Sequence, residues 1–188
     1  VDPVSVGVVD FRTLKIRQEA AARPTVVRGN ASEVAALAGA GAGGRGVDST
    51  DEVDAVLPAV IRLAQATGGV VAVSGVRDAV VAVQGAHVQI ARIGGGHALM
   101  PKVVGTGCAL GALVAAYLAA GRALGAVPLA GDFAATVAAH AHFAMAAGVA
   151  GARAAGPGSF QVAFVDALHA LNAGDLARAD VQLETRAL

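Results

Sequence analysis

Gly105-Thr106-Gly107-Cys108 is the segment of this chain best suited to chemistry. It precedes a long apolar run and reads as the first turn of a buried helix. A helix N-terminus offers unpaired backbone N–H groups and about half a positive charge, which suits a phosphate or a developing anion. Glycines let the backbone approach that anion closely, so Thr106 and Gly107 belong to an anion turn. A thiol in such a turn has its thiolate favoured, which makes Cys108 a candidate proton acceptor. On spacing alone a second reading stands beside it, in which Cys108 is a small buried hydrophobe. Lys102, one of only two lysines, lies just upstream of the turn. It is placed to neutralise a transferring phosphoryl group, or simply stands at the surface.

The second cluster is Arg28-Gly29-Asn30-Ala31-Ser32-Glu33. Asn30 or Ser32 can cap a helix here, and Glu33 would complete a capping box from Asn30. The functional reading gives Arg28 to a phosphate and Glu33 to Mg²⁺, an ion that takes one or two carboxylates and keeps several waters. Asp2, directly before Pro3, either caps a turn or organises the metal. Ser74-Gly75 follows a run of valines and either hydrogen-bonds a nucleotide phosphate or turns the chain. His140 and His142 point in different directions on one helix, make poor joint metal ligands and read as structural. Gly156-Pro157-Gly158-Ser159 reads as a helix stop followed by an N-cap.

These residues are positioned by short β-branched runs alternating with longer helical segments. Val1-Val4 reads as the end of a strand and Phe11 to Ala22 as a helix. Thr25-Val26-Val27-Arg28 is a strand, Ala31 to Gly39 a short helix and Gly39 to Gly46 a mobile glycine-rich loop. Asp51 caps a helix running to about Thr67, and Val70-Val71-Ala72-Val73 is a buried strand. Ala79 to Val83 and His87 to Ile93 flank Gln84-Gly85-Ala86 as a β-hairpin, which Gly94-Gly95-Gly96 ends. Helices then cover Gly107 to Ala120, Asp132 to Ala152 and Ser159 to Leu171. The alternation predicts an α/β fold with a mostly parallel central sheet covered by helices on both faces. In such sheets ligands sit beyond the carboxyl ends of strands, where Asp2, Arg28, Asn30 and Ser74 fall.

Composition narrows the function. Hydrophobic residues make up 55% of the 188 and charged residues 15%, which excludes a disordered chain. A net charge of zero argues against nucleic acid or an anionic membrane surface as partner. The single cysteine excludes an intrachain disulfide framework and fits a cytoplasmic setting. Val103 to Gly121 and Phe133 to Gly151 approach bilayer-spanning length. Their Ala/Gly composition and the absence of any Trp argue instead for helices buried in a soluble protein.

Five stretches, in order, give this chain its resemblance to the hydroxyethylthiazole kinase family of ribokinase-like enzymes. They are Asp2-Pro3-Val4-Ser5-Val6-Gly7, Arg28 to Glu33, Gly44-Arg45-Gly46-Val47-Asp48-Ser49, Lys102 to Cys108 and Gly156-Pro157-Gly158-Ser159-Phe160. The cysteine is the most telling, because most ribokinase-like enzymes carry aspartate there. The resemblance implies a ribokinase-like fold and phosphoryl transfer from MgATP to the primary alcohol of 4-methyl-5-(2-hydroxyethyl)thiazole, in thiamine biosynthesis or salvage. It implies Cys108 as the base, Gly105 against the substrate, Arg28 and Ser74 on ATP, and Asp2 and Glu33 around Mg²⁺. It also implies a homo-trimer with sites at subunit contacts. The expectation is one kinase domain over residues 1–188 that lacks the family's N-terminal portion. Ser74 stands where threonine is common, and the hairpin is slightly longer than usual. A ribokinase-like kinase of another small alcohol, such as a pyrimidine alcohol or a sugar, and an inactive truncated fragment are the competing readings.

Overall fold

Helix α1 (Asp10–Ala21) leads into the first Val-rich strand, β1 (Val26–Asn30). The computed structural model describes residues 1–40 and 50–188, and places helices α2 (Ala31–Leu37) and α3 (Thr50–Thr67) after this strand. Strand β2 (Val70–Ser74) returns in parallel beside β1, with Val26 opposite Val70 and Asn30 opposite Ser74. The hairpin follows as β3 (Asp78–Gln84) and β4 (His87–Ile93). A 3₁₀ turn at Met100–Lys102 precedes helices α4 (Thr106–Ala123), α5 (Ala130–Gly151), α6 (Pro157–Ala170) and α7 (Ala173–Leu176), and strand β5 (Val181–Ala187) closes the order.

The five strands lie in the order β1-β2-β3-β4-β5. The α/β class, the hairpin and the helices on both faces are as the sequence predicts. The mostly parallel pairing is not: among the described residues only β1 and β2 pair in parallel, while the other three junctions are antiparallel. The reason is loop length. A parallel crossover needs about a dozen residues or more, and only Gly75, Val76 and Arg77 separate β2 from β3. The sequence reading also missed β5, whose residues are nearly all exposed and lack a buried periodicity. Val1 is not in a strand, yet its amine donates to the Val26 carbonyl at 2.8 Å and its carbonyl accepts from Arg28 N–H at 2.9 Å.

Alternation along the strands builds two cores. Val26, Val70, Ala72, Val80, Ala91 and Ile93 face α4, α5 and α6, whereas Val27, Val71, Val73, Val81 and Ile90 face α2 and α3. Full burial of each such valine or isoleucine contributes about 1.5–3 kcal/mol relative to exposure. Over β1 to β4 both faces of the sheet are therefore closed, and ligands are left the strand ends. Gly69 shows how tightly β2 enters: a Cβ there would run into the carbonyl oxygens of Pro24 and Thr25, the latter at 2.8 Å. Backbone cannot yield as a side chain does. Gly69→Ala is expected to destabilise by about 1–3 kcal/mol. An unchanged melting temperature would contradict this close approach.

Two local expectations need correction. The helix following the anion turn is not buried: α4 buries only Leu110 and Val114 and leaves an apolar outer side exposed. Both α4 and α5 are long and apolar enough to cross a membrane, but 56% of the α5 window is buried against 11% for α4, so α5 is the core helix. Ser159 does not cap α6. Gly156 holds the N-cap position and Ser159, three residues on, accepts from the Ala155 and Gly156 N–H groups. The expected loop at residues 41–46 and the side chain of Asp51 lie outside the described residues.

Candidate active site

Arg28 is the centre of the site, and β1 positions it. Its neighbours Val27 and Gly29 are buried, which leaves the guanidinium to run along the carboxyl edge of the sheet with only 11% of the side chain exposed. Nη2 donates to Ser74 Oγ at 2.9 Å, while Nη1 donates to the Gly107 carbonyl at 3.1 Å and to Asp2 Oδ2 at 3.3 Å. One guanidinium thus ties together β2, the first turn of α4 and the chain beside β1. Its Nε is buried without a partner. The planar fork of arginine makes several directed bonds at once, which a lysine ammonium does not reproduce.

The turn at Gly105 is built as a helix start. Gly105 is the N-cap of α4 with φ of +93°, a left-handed conformation that a side chain would strain. Thr106 Oγ1 donates to the Val103 and Met100 carbonyls, at 3.3 and 3.4 Å, and so pins the 3₁₀ turn to α4. Gly107 lies against the Arg28 guanidinium, where a Cβ would approach Nη1 to 3.3 Å. Cys108 is exposed, so the reading of it as a buried hydrophobe is excluded.

The two carboxylates are partly occupied. Glu33 completes the capping box of α2: its Oε2 accepts from Asn30 N–H at 3.0 Å while Asn30 Oδ1 accepts from Glu33 N–H at 2.9 Å. Asp2 pairs with Arg28. Among the described residues no group of three or more His, Cys, Asp or Glu side chains gathers to hold a metal. The available donors are thus two hard carboxylates with lone pairs to spare. That set fits an ion that takes one or two carboxylates and completes its shell with water and phosphate. Lys102 stands exposed in the 3₁₀ turn.

Two cavities meet at Arg28. The larger, about 900 Å³, has a polar lining that includes Arg28, Asn30, Ser32, Ser74 and Thr106, with Gly107 beside them. Its apolar lining includes Ile93, Met100, Leu110 and Phe143. The smaller, about 580 Å³, is lined by Asp2, Arg28, Cys108, Val114 and Leu118. Arg28 lines both. Lys102, Gly105 and Glu33 line neither. The sequence reading missed the apolar lining and Asp78, because residues scattered over β3, β4, α4 and α5 share no local spacing; the Gly94-Gly95-Gly96 run was the one signal of a close approach there.

The histidines divide. His142 is structural, as the sequence predicts: its Nε2 donates to the Leu168 carbonyl at 3.0 Å and its Nδ1 accepts from Tyr117 Oη at 2.9 Å. Burial pushes the Tyr117 phenol up from its usual range, which keeps it a donor. His140 instead contacts Asp78, at the wall of the larger cavity.

The model of the hydroxyethylthiazole kinase family matches residues 1–174. This chain belongs to that family. It is 50% identical over 186 residues to a hydroxyethylthiazole kinase of Kineococcus radiotolerans, covering 99% of this chain and 63% of that relative. It is 48% identical to that of Corynebacterium glutamicum (strain R), covering 92% of this chain and 62% of that relative. The solved hydroxyethylthiazole kinase structure from Pyrococcus horikoshii OT3 superposes with a TM-score of 0.78 at 29% identity, covering 97% of this chain and 64% of that one. The likeness bears out the ribokinase-like α/β assignment. The chain spans just under two thirds of the length of these relatives. Arg28 lines both the larger cavity and the groove that carries the only thiol.

Proposed function

We propose that the protein transfers a phosphoryl group from ATP to the hydroxyl of 4-methyl-5-(2-hydroxyethyl)thiazole, giving the thiazole phosphate and ADP in thiamine biosynthesis or salvage. The observation that carries this reading is Arg28, shared by a nucleotide-sized cavity and by the groove of Cys108, in a chain of this family. The apolar lining of the larger cavity suits the base of ATP, and Arg28, Ser74 and the anion turn suit its phosphates. The thiazole alcohol lies in the smaller groove near the Gly105 turn. Cys108 accepts the hydroxyl proton as the alcohol oxygen bonds to the γ-phosphorus and the bond to the ADP oxygen breaks. Phosphoryl transfer needs mostly positioning and charge neutralisation, so a modest base suffices.

Asp2 and Glu33 are the residues that would hold Mg²⁺, which supplies charge neutralisation to the phosphates when bound. Lys102 is assigned to the same anion only if its side chain swings inward from the surface. A homo-trimer is supported by the exposed apolar side of α4, which runs on from Cys108. A cytoplasmic setting accords with use of ATP and with a single free thiol.

The test is a coupled ADP assay on the full-length protein with Mg²⁺, alongside sedimentation of the same preparation. ATP turnover should depend on the thiazole alcohol, and the sedimenting mass should be three chains. Turnover indifferent to that alcohol, or supported equally by a pyrimidine alcohol or a sugar, rejects the assignment.

A further inference from the structure

Asp78 at the wall of the larger cavity, and the buried His140 in contact with it, have no part in the reaction proposed above. Asp78 opens β3, lines the cavity, and has both carboxylate oxygens engaged. Oδ1 accepts from Gly75 N–H at 2.9 Å, and Oδ2 accepts from His140 Nδ1 at 2.6 Å. His140 comes from α5 and is completely buried, with Nε2 lacking a partner among the described residues. A buried ring nitrogen without a partner is destabilising, and an apolar side chain would pack here without that cost. What the ring supplies in return is a directed Nδ1–H on Asp78. A carboxylate free to face the cavity would also repel a polyphosphate. One oxygen accepts from backbone and the other from imidazole, so both are engaged by donors at the cavity wall.

The consequence runs through the turn. The Asp78 bond to Gly75 N–H closes the three-residue connection Gly75-Val76-Arg77 between β2 and β3. Ser74 directly precedes it and holds Arg28 Nη2 at 2.9 Å. We propose that Asp78 and His140 are a positioning pair for the phosphate end of the nucleotide site: His140 orients Asp78, Asp78 sets the turn, and the turn holds Ser74 against Arg28. This rests on the larger cavity being the nucleotide site.

The test compares His140→Leu, His140→Asn and Asp78→Ala with wild type in the full-length enzyme, with KM measured separately for ATP and for the thiazole alcohol. His140→Leu removes the donor and should raise KM for ATP about tenfold, the scale of losing an orienting partner, with KM for the alcohol little changed. His140→Asn places an N–H where Nδ1–H stood and should restore most of the loss. Equal values for the Leu and Asn variants would overturn the proposal in favour of packing alone, as would an unchanged KM for ATP. If His140→Leu fails to fold, Asp78→Ala decides by the same ATP-selective rise or its absence. Should wild type bind ATP without turning over the thiazole alcohol, the functional assignment fails while ATP dissociation constants of the same variants still decide the pair. If wild type does not bind ATP, both fall.

Discussion

Arg28→Ala is expected to lower kcat/KM for ATP by about 10²–10³-fold, the cost of deleting one preorganised donor aimed at transferring charge. The side chain does two things at once. It presents a cation where the larger cavity meets the groove of Cys108, and it holds Ser74, Gly107 and Asp2 in mutual register. Alanine removes the charge and frees all three partners, so both binding and alignment of the phosphates suffer. Arg28→Lys restores charge but not the fork, and so should recover only a minor part. Steady-state kinetics on the full-length enzyme with each substrate varied in turn would check this. A loss confined to KM for the alcohol, or full recovery by lysine, would contradict the assignment of Arg28 to the nucleotide.

The second large effect belongs to Cys108. Cys108→Ala should lower kcat by about 10²-fold or more, within the range of a lost general base. Cys108→Asp, which retains a proton acceptor, should preserve most of the rate. Because Cys108 is exposed, its truncation opens no core cavity, and the melting temperature should hold. This separates chemistry from packing. An alanine variant as fast as wild type would show that the thiol takes no proton. A variant that loses kcat together with several degrees of melting temperature would point to structure instead.

Physical reasons explain which elements were legible beforehand. The hairpin was readable because Gln84-Gly85-Ala86 separates two alternating runs, and observed β3 and β4 enclose the expected segments. The capping box at Asn30 and Glu33 was readable because it is a contact between residues three apart. Burial of α4 was misjudged because an Ala-rich helix is apolar on every side, so its composition does not say which side meets the sheet. Strand β5 escaped because its pairing with β4, Val181 against Ile93, holds it through backbone bonds and not through a buried face.

The same division runs through the site. From sequence alone came the expectation of an anion turn at Gly105 to Cys108, Arg28 and Ser74 as candidate phosphate contacts, and the family, since these depend on local spacing and on the order of motifs. The choice between a buried and an exposed Cys108 was left open, and the tertiary structure decided it by leaving the first turn of α4 uncovered. Only the fold could bring Asp78 and His140 within 2.6 Å across 62 residues, or set Arg28 where two cavities meet. Contacts between distant segments are fixed by how α5 and α4 pack on the sheet, and that packing depends on the whole core.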